Sequence, residues 1–101
     1  MSGQLRISVD TVQTVNVAFQ CRVHIAGGQP GDDVKIRLSQ SGGGSPTYEG
    51  YCSTTLNGSG TGLALFDNVK LAGPGTVRLV ADGAQSAVPL HTGDAQIQVT
   101  T

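Results

Sequence analysis

An all-β fold with two antiparallel sheets packed face to face is what this sequence predicts, and three observations carry the prediction. First, apolar and polar residues alternate along short runs. The clearest sets Val15, Val17, Phe19, Cys21, Val23 and Ile25 against Asn16, Ala18, Gln20, Arg22 and His24. A period of two marks a strand with one face in a core and the other in water. Second, the runs are separated by turn clusters such as Gly27-Gly28-Gln29-Pro30-Gly31 and Asn57-Gly58-Ser59-Gly60, where Gly supplies positive φ and Pro fixes its own. Third, no stretch keeps a helical period. About six or seven short strands make a sandwich the economical arrangement. At 101 residues the chain forms one domain, residues 1–101, of ordinary size.

In chain order, Leu5, Ile7 and Val9 share one face of a first strand, and the polar stretch from Asp10 to Thr14 is expected to bend. The long alternation from Val15 to Ile25 is the second strand. Val34, Ile36 and Leu38 alternate with Lys35 and Arg37 in a third. The stretch from Ser39 to Thr47, with Gly42-Gly43-Gly44, buries little and is expected to be a flexible loop. Tyr48 to Thr55 is a weaker strand, suited to a sheet edge.

The segment from Leu56 to Gly83 is the expected centre. It offers a turn at Asn57–Thr61, a strand Gly62–Phe66, a second turn at Ala72-Gly73-Pro74, and a strand from Gly75 to Ala81. Val80 interrupts the polar set of that last strand, as cover on both faces would require. Asp82-Gly83 is expected to turn in hairpin fashion, Ala84 to Gly93 to be loose, and Ala95 to Thr100 to close the chain as a final strand.

Composition narrows the function. There is no Trp, with two Phe, two Tyr and one Met, so the core must be aliphatic. Charged residues are 13% of the chain and the net charge is −1; a polyanion partner calls for a basic patch that six scattered Lys and Arg do not build. A nucleic-acid partner is therefore not expected. No apolar run approaches the ~20 residues that span a bilayer, so membrane insertion is not expected either. The neutral, hydroxyl-rich surface with 15 Gly is of the kind found in secreted repeat modules and phage surface proteins. The start, Met1-Ser2-Gly3-Gln4-Leu5-Arg6, lacks the order of a signal peptide, and the reading favoured is a module cut from a longer chain.

Several motifs together resemble a known family. Gly28-Gln29-Pro30 follows the long second strand, and Val34-Lys35-Ile36-Arg37-Leu38 comes next. Gly62-Leu63-Ala64-Leu65-Phe66 has the form Gly-x-Ala-x-Phe, and Gly75-Thr76-Val77-Arg78-Leu79-Val80-Ala81 the form Gly-Thr-x-x-Leu-x-Ala. The order resembles the immunoglobulin-like repeats of bacterial surface proteins, the bacterial Ig-like and filamin-type modules. The resemblance implies an immunoglobulin-like β-sandwich of about seven antiparallel strands. It further implies a non-catalytic structural, adhesion or display module at an extracellular, virion or cell surface. The partners would be neighbouring domains of a longer chain, or a cell-surface glycan or protein. Two cysteines depart from the family pattern.

Those cysteines, Cys21 and Cys52, are the sharpest candidates for chemistry. Their even number and the extracellular character of the composition favour a disulfide. It would close a loop of roughly 30 residues and constrain the unfolded chain by ~3–4 kcal/mol. The alternative is two free thiols acting as small apolar groups. Two Cys and two distant His lack the spacing of a metal site. Asp32, Asp33, Asp67, Asp82 and Asp94 fall in turns, where Asp is common for local reasons, and calcium is the lesser reading.

No cofactor and no catalytic residues are expected. His24 falls on the polar side of its strand and His91 in a loop, and no Gly-x-Ser-x-Gly elbow is present. Gly58-Ser59-Gly60-Thr61-Gly62 looks like a phosphate loop, but a strand follows it where a helix N-terminus is needed. Tyr48 and Tyr51 are the candidate ligand-binding pair. They offer either aromatic faces for a sugar ring, or an edge around Glu49–Ser53 that accepts an added peptide strand.

Overall fold

The computed structural model describes residues 2–42 and 47–101. Its elements are β1 (Gly3–Ser8), β2 (Val12–Thr14), β3 (Phe19–Ala26), β4 (Asp33–Ser41), β5 (Glu49–Thr55), β6 (Gly62–Val69), β7 (Gly75–Gln85), β8 (Leu90–His91) and β9 (Gly93–Thr100). They form a four-stranded sheet ordered β6-β3-β1-β8 and a five-stranded sheet ordered β2-β9-β7-β4-β5. The fold is all-β and two-layered, as a β-sandwich requires.

Alternation decides which residues meet between the layers. Val23 and Ile25 of β3 and Ala64 and Phe66 of β6 face Val34, Ile36 and Leu38 of β4, Val77, Leu79 and Ala81 of β7, and Ile97 and Val99 of β9; all are buried in one core. The expected central pair is therefore not a pair within a sheet. β6 is an edge of the smaller sheet and β7 lies inside the larger one, so they line the one core from facing layers.

The expected second strand, Val15 to Ile25, begins only at Phe19. Phe19–Ala26 pairs antiparallel with β1 and β6, and a separate short strand before it, Val12–Thr14, pairs parallel with β9. Between them Asn16 takes a left-handed φ of 58°, and Val17 is exposed. The alternation from Val15 onward thus continues through a change of layer, which a period-two pattern cannot register. The polar stretch before it supplies β2 as well as a bend.

The hairpin turn expected at Asp82-Gly83 does not form. β7 runs on to Gln85, with Asp82 opposite Arg37 and Gly83 opposite Ile36, and the extra residue is taken up as a bulge before Gln85 meets Lys35. Ladder pairing with β4 outweighs the local turn preference. The stretch expected to be loose contains β8, so His91 is in a short strand paired parallel with β1 rather than in a loop. β4 extends through Ser41, so the expected loop from Ser39 begins later; its residues 43–46 lie outside the described ones.

The two chain ends sit at opposite ends of a body measuring 43 × 20 × 19 Å. Gly3 N–H donates to Pro89 at one end, near the contact between Gly28 and Gly60. At the other end the Thr100 carbonyl accepts from Val15.

Candidate functional site

The strongest concentration of polar chemistry lies around β5, on both of its faces. β5 is the outer strand of the larger sheet and, among the described residues, pairs only with β4, from Asp33 opposite Thr55 to Ser39 opposite Glu49. Its edge position agrees with its weak strand pattern. Alternation sends Glu49, Tyr51, Ser53 and Thr55 outward and Gly50, Cys52 and Thr54 toward the interior.

Tyr48 and Tyr51 are three positions apart, so they fall on opposite faces. Tyr48 packs against the core, whereas Tyr51 is exposed on the outer surface. They do not form one aromatic platform. That odd spacing was legible before any fold was known. The Tyr48 ring is accommodated because Gly50, two residues on and on the same face, has no side chain: a Cβ there would collide with the Tyr48 hydroxyl.

Cys21 and Cys52 are free thiols, and the expected bridge between them is not formed. Cys21 is buried on β3 of the smaller sheet, and Cys52 is half-buried on β5 of the larger one. They belong to facing layers, and Tyr48 packs beside both. Burial raises the Tyr48 phenol above its usual pKa, and the nearby charges that Cys21 and Cys52 would carry push it the same way. Burial also pushes the Cys21 thiol up to about 11, so at neutral pH it is an apolar group with a protonated sulfur.

Gln40 is a residue that strand pattern reading passed over. It occupies the inward position after Val34, Ile36 and Leu38, and is buried. Its side-chain amide donates to the Gly42 carbonyl at 2.9 Å and accepts from the Tyr48 backbone N–H at 3.0 Å. The Gln40 N–H in turn donates to the Tyr48 carbonyl. One buried amide thus ties the end of β4 to the start of β5. The available signal was a polar residue at a core-facing parity, which must find partners.

On the outer surface, Arg37 spans two strands. Its guanidinium donates to Glu49 at 2.8 Å and to Asp82 at 3.3 Å. The hydrogen bond and charge of Arg37 hold the Glu49 carboxyl below its usual range, and Glu49 raises Arg37 in return. Lys35 lies 5.1 Å above the Tyr51 ring, close enough for a cation–π contact. Arg78 and Asp94 approach to 3.8 Å. These charges meet one another, and the surface is a balanced polar mosaic.

The aspartates expected in turns are engaged separately. Asp32 accepts from the Ala87 N–H, Asp33 from the Thr55 hydroxyl and Asp67 from Gln20. Among the described residues no three His, Cys, Asp or Glu side chains gather as a metal site. The turn at 57–61 is held by Asn57, whose side-chain oxygen accepts from the N–H groups of Ser59 and Thr61. It connects strands of different sheets, so it is an arch and not a hairpin. A shallow recess of about 290 Å³ beside β3 is lined by Ser8, Val9, Asp10, Gln20 and Arg22. Two of its polar groups are already joined, Arg22 donating to Gln20. No family model matches the chain, and no curated protein shows significant similarity to it.

Proposed function

We propose that this chain is a non-catalytic structural, adhesion or display module with an immunoglobulin-like sandwich, working at an extracellular, virion or cell surface. The strand arrangement supports the topology. β6-β3-β1 face β2-β9-β7-β4-β5, and the first strand is divided so that β1 runs antiparallel to β3 while β2 runs parallel to β9. A Greek-key sandwich of this sort is a scaffold that hosts many activities, so the functional step needs its own support.

The observation that carries the reading is the placement of the chain ends at opposite ends of a 43 Å body. A domain entered at one end and left at the other adds length in line, which is what a spacer or display unit does. Joining two and three copies head to tail and measuring maximum dimension by small-angle scattering tests this. Each copy is expected to add close to the 43 Å length of the domain. Copies that fold back into a compact cluster would refute the in-line role.

The second reading is a module that accepts an added peptide strand or a glycan at β5, favoured by the seven-residue open edge and the exposed Tyr51 ring. Titrating peptides and glycans while following backbone amide resonances checks it. Shifts confined to Glu49–Thr55 would place recognition there, and silence at millimolar ligand would remove it.

A further inference from the structure

The other long edge of the sandwich belongs to β6, which among the described residues pairs only with β3. Exposed sheet edges in natural proteins are usually blunted by shortness, by Lys or Pro, or by a bulge. Two of the four edges here are short: β2 has three residues and β8 has two. β6 has eight residues, and from Gly62 to Phe66 it carries no charge and no Pro. Its outward residues on that stretch, Leu63 and Leu65, are 40% and 43% exposed. The bulge comes only after it, where Asp67 and Asn68 oppose the single residue Gln20 and Asn68 takes a φ of 59°.

We propose that β6 is a self-association edge through which two copies of this chain pair antiparallel, joining their four-stranded sheets into one eight-stranded sheet. The choice of a second copy over a foreign strand rests on self-complementarity. Placing the two-fold axis at Ala64 sets Leu63 of each copy opposite Leu65 of the other, merging two exposed pairs into one four-leucine patch on the outer surface. Phe66 then lies opposite Gly62 on the inner side, where each already faces its own core: Phe66 is 3% exposed and Leu56 covers Gly62. Asp67 falls opposite Thr61, and no like charges oppose.

Neighbouring registers are poorer. An axis at Leu65 sets Leu63 against Asp67, and an axis at Phe66 sets Leu65 against Asp67; each covers a carboxylate with a leucine. An axis at Leu63 leaves Leu65 against Thr61. A charged strand from another protein finds nothing to pair with along Gly62–Phe66, because the nearest cation, Arg22, stands one strand further in and donates to Gln20. The ladder is short, so association is weak, with a dissociation constant of roughly 10 µM to 1 mM. The inference is independent of the in-line reading above.

Sedimentation velocity from about 10 µM to 1 mM tests the proposal over that range, together with amide exchange on the same samples. A concentration-dependent dimer is expected, with added protection confined to residues 61–67. Leu65→Glu sits beside Arg22 in the register, so the monomer keeps its fold while association weakens by about tenfold or more. Leu65→Ser gives a second, uncharged variant, and circular dichroism checks that both fold. Val12→Ser, on the opposite flank and 62% exposed, is expected to leave association unchanged. A strictly monomeric chain across the range overturns the proposal. So does a dimer that Leu65→Glu and Leu65→Ser leave intact, or one that Val12→Ser disrupts.

Discussion

The two flanks of the sandwich solve the same problem in opposite ways. On one flank the chain passes from layer to layer within what would otherwise be single long strands. β1 belongs to the smaller sheet and β2 to the larger; β8 belongs to the smaller and β9 to the larger. Each crossing leaves only a two- or three-residue strand at an edge. On the other flank the crossing is made by the arch from Leu56 to Thr61, and β5 and β6 keep seven and eight residues of open edge. Covalent continuity between layers shortens edges, and a loop crossing leaves them long. What holds the long flank together is therefore the arch and the core beneath it.

The most damaging way to probe that contrast is Leu56→Ala. Leu56 is 2% exposed and packs against Gly28 and Gly62 under the arch. Its truncation is expected to cost about 2–5 kcal/mol in denaturant unfolding. Val12→Ala on the other flank should change stability by under about 0.5 kcal/mol. Equal costs would break the contrast.

Gly60→Ala comes next. Gly60 has a φ of 74°, its N–H donates to Asn57, and a Cβ there would strike the Gly28 carbonyl. A loss of about 1–3 kcal/mol is expected, against almost none for Gly58→Ala, whose Cβ would meet open space. A harmless Gly60→Ala would mean that the arch does not need its left-handed residue.

The thiols sharpen the contrast between the core and its rim. Cys21, raised from 9.0 to about 11 by burial, binds its proton more tightly in the folded state than in the unfolded one. Its contribution is whole below pH 9 and is lost as pH climbs toward 11, on the order of 2 kcal/mol. Unfolding curves at pH 8 and 10.5 should show that fall in the parent and a smaller one in Cys21→Ala, where the raised Tyr48 phenol still contributes. Native alkylation followed by mass measurement should label half-buried Cys52 and spare Cys21. Labelling of neither, with two thiols released by reductant, would restore the disulfide.

The smallest effect is expected from Arg37→Ala. The pairs with Glu49 and Asp82 are solvent-exposed, so the melting temperature should move little, and less still in high salt. A large, salt-resistant loss would show that the β5 edge depends on this outer surface rather than on Gln40 and Tyr48.

Local alternation alone was enough to identify the longer strands, though not the short β2 and β8, because each long strand needs one apolar face whatever it packs on. Leu5, Val23, Ile25, Val34, Ile36, Leu38, Val77, Leu79, Ile97 and Val99 were all legible as core in this way, and all are buried. The edge character of β5 was legible too, whereas Tyr48 and Tyr51 were expected to act as a pair although their three-residue spacing already separates their faces. Which sheet each strand joins was not legible, because period two is blind to layer. Val15 to Ile25 keeps its alternation while the chain turns at Asn16 and changes sheets.

Tertiary structure alone decided that Asp82-Gly83 continues a ladder with Arg37 and Ile36 in place of turning. It also set Cys21 and Cys52 in facing layers with Tyr48 beside both. Such choices depend on partners distant in sequence, whose pairing energy exceeds any local preference for a turn or a straight strand.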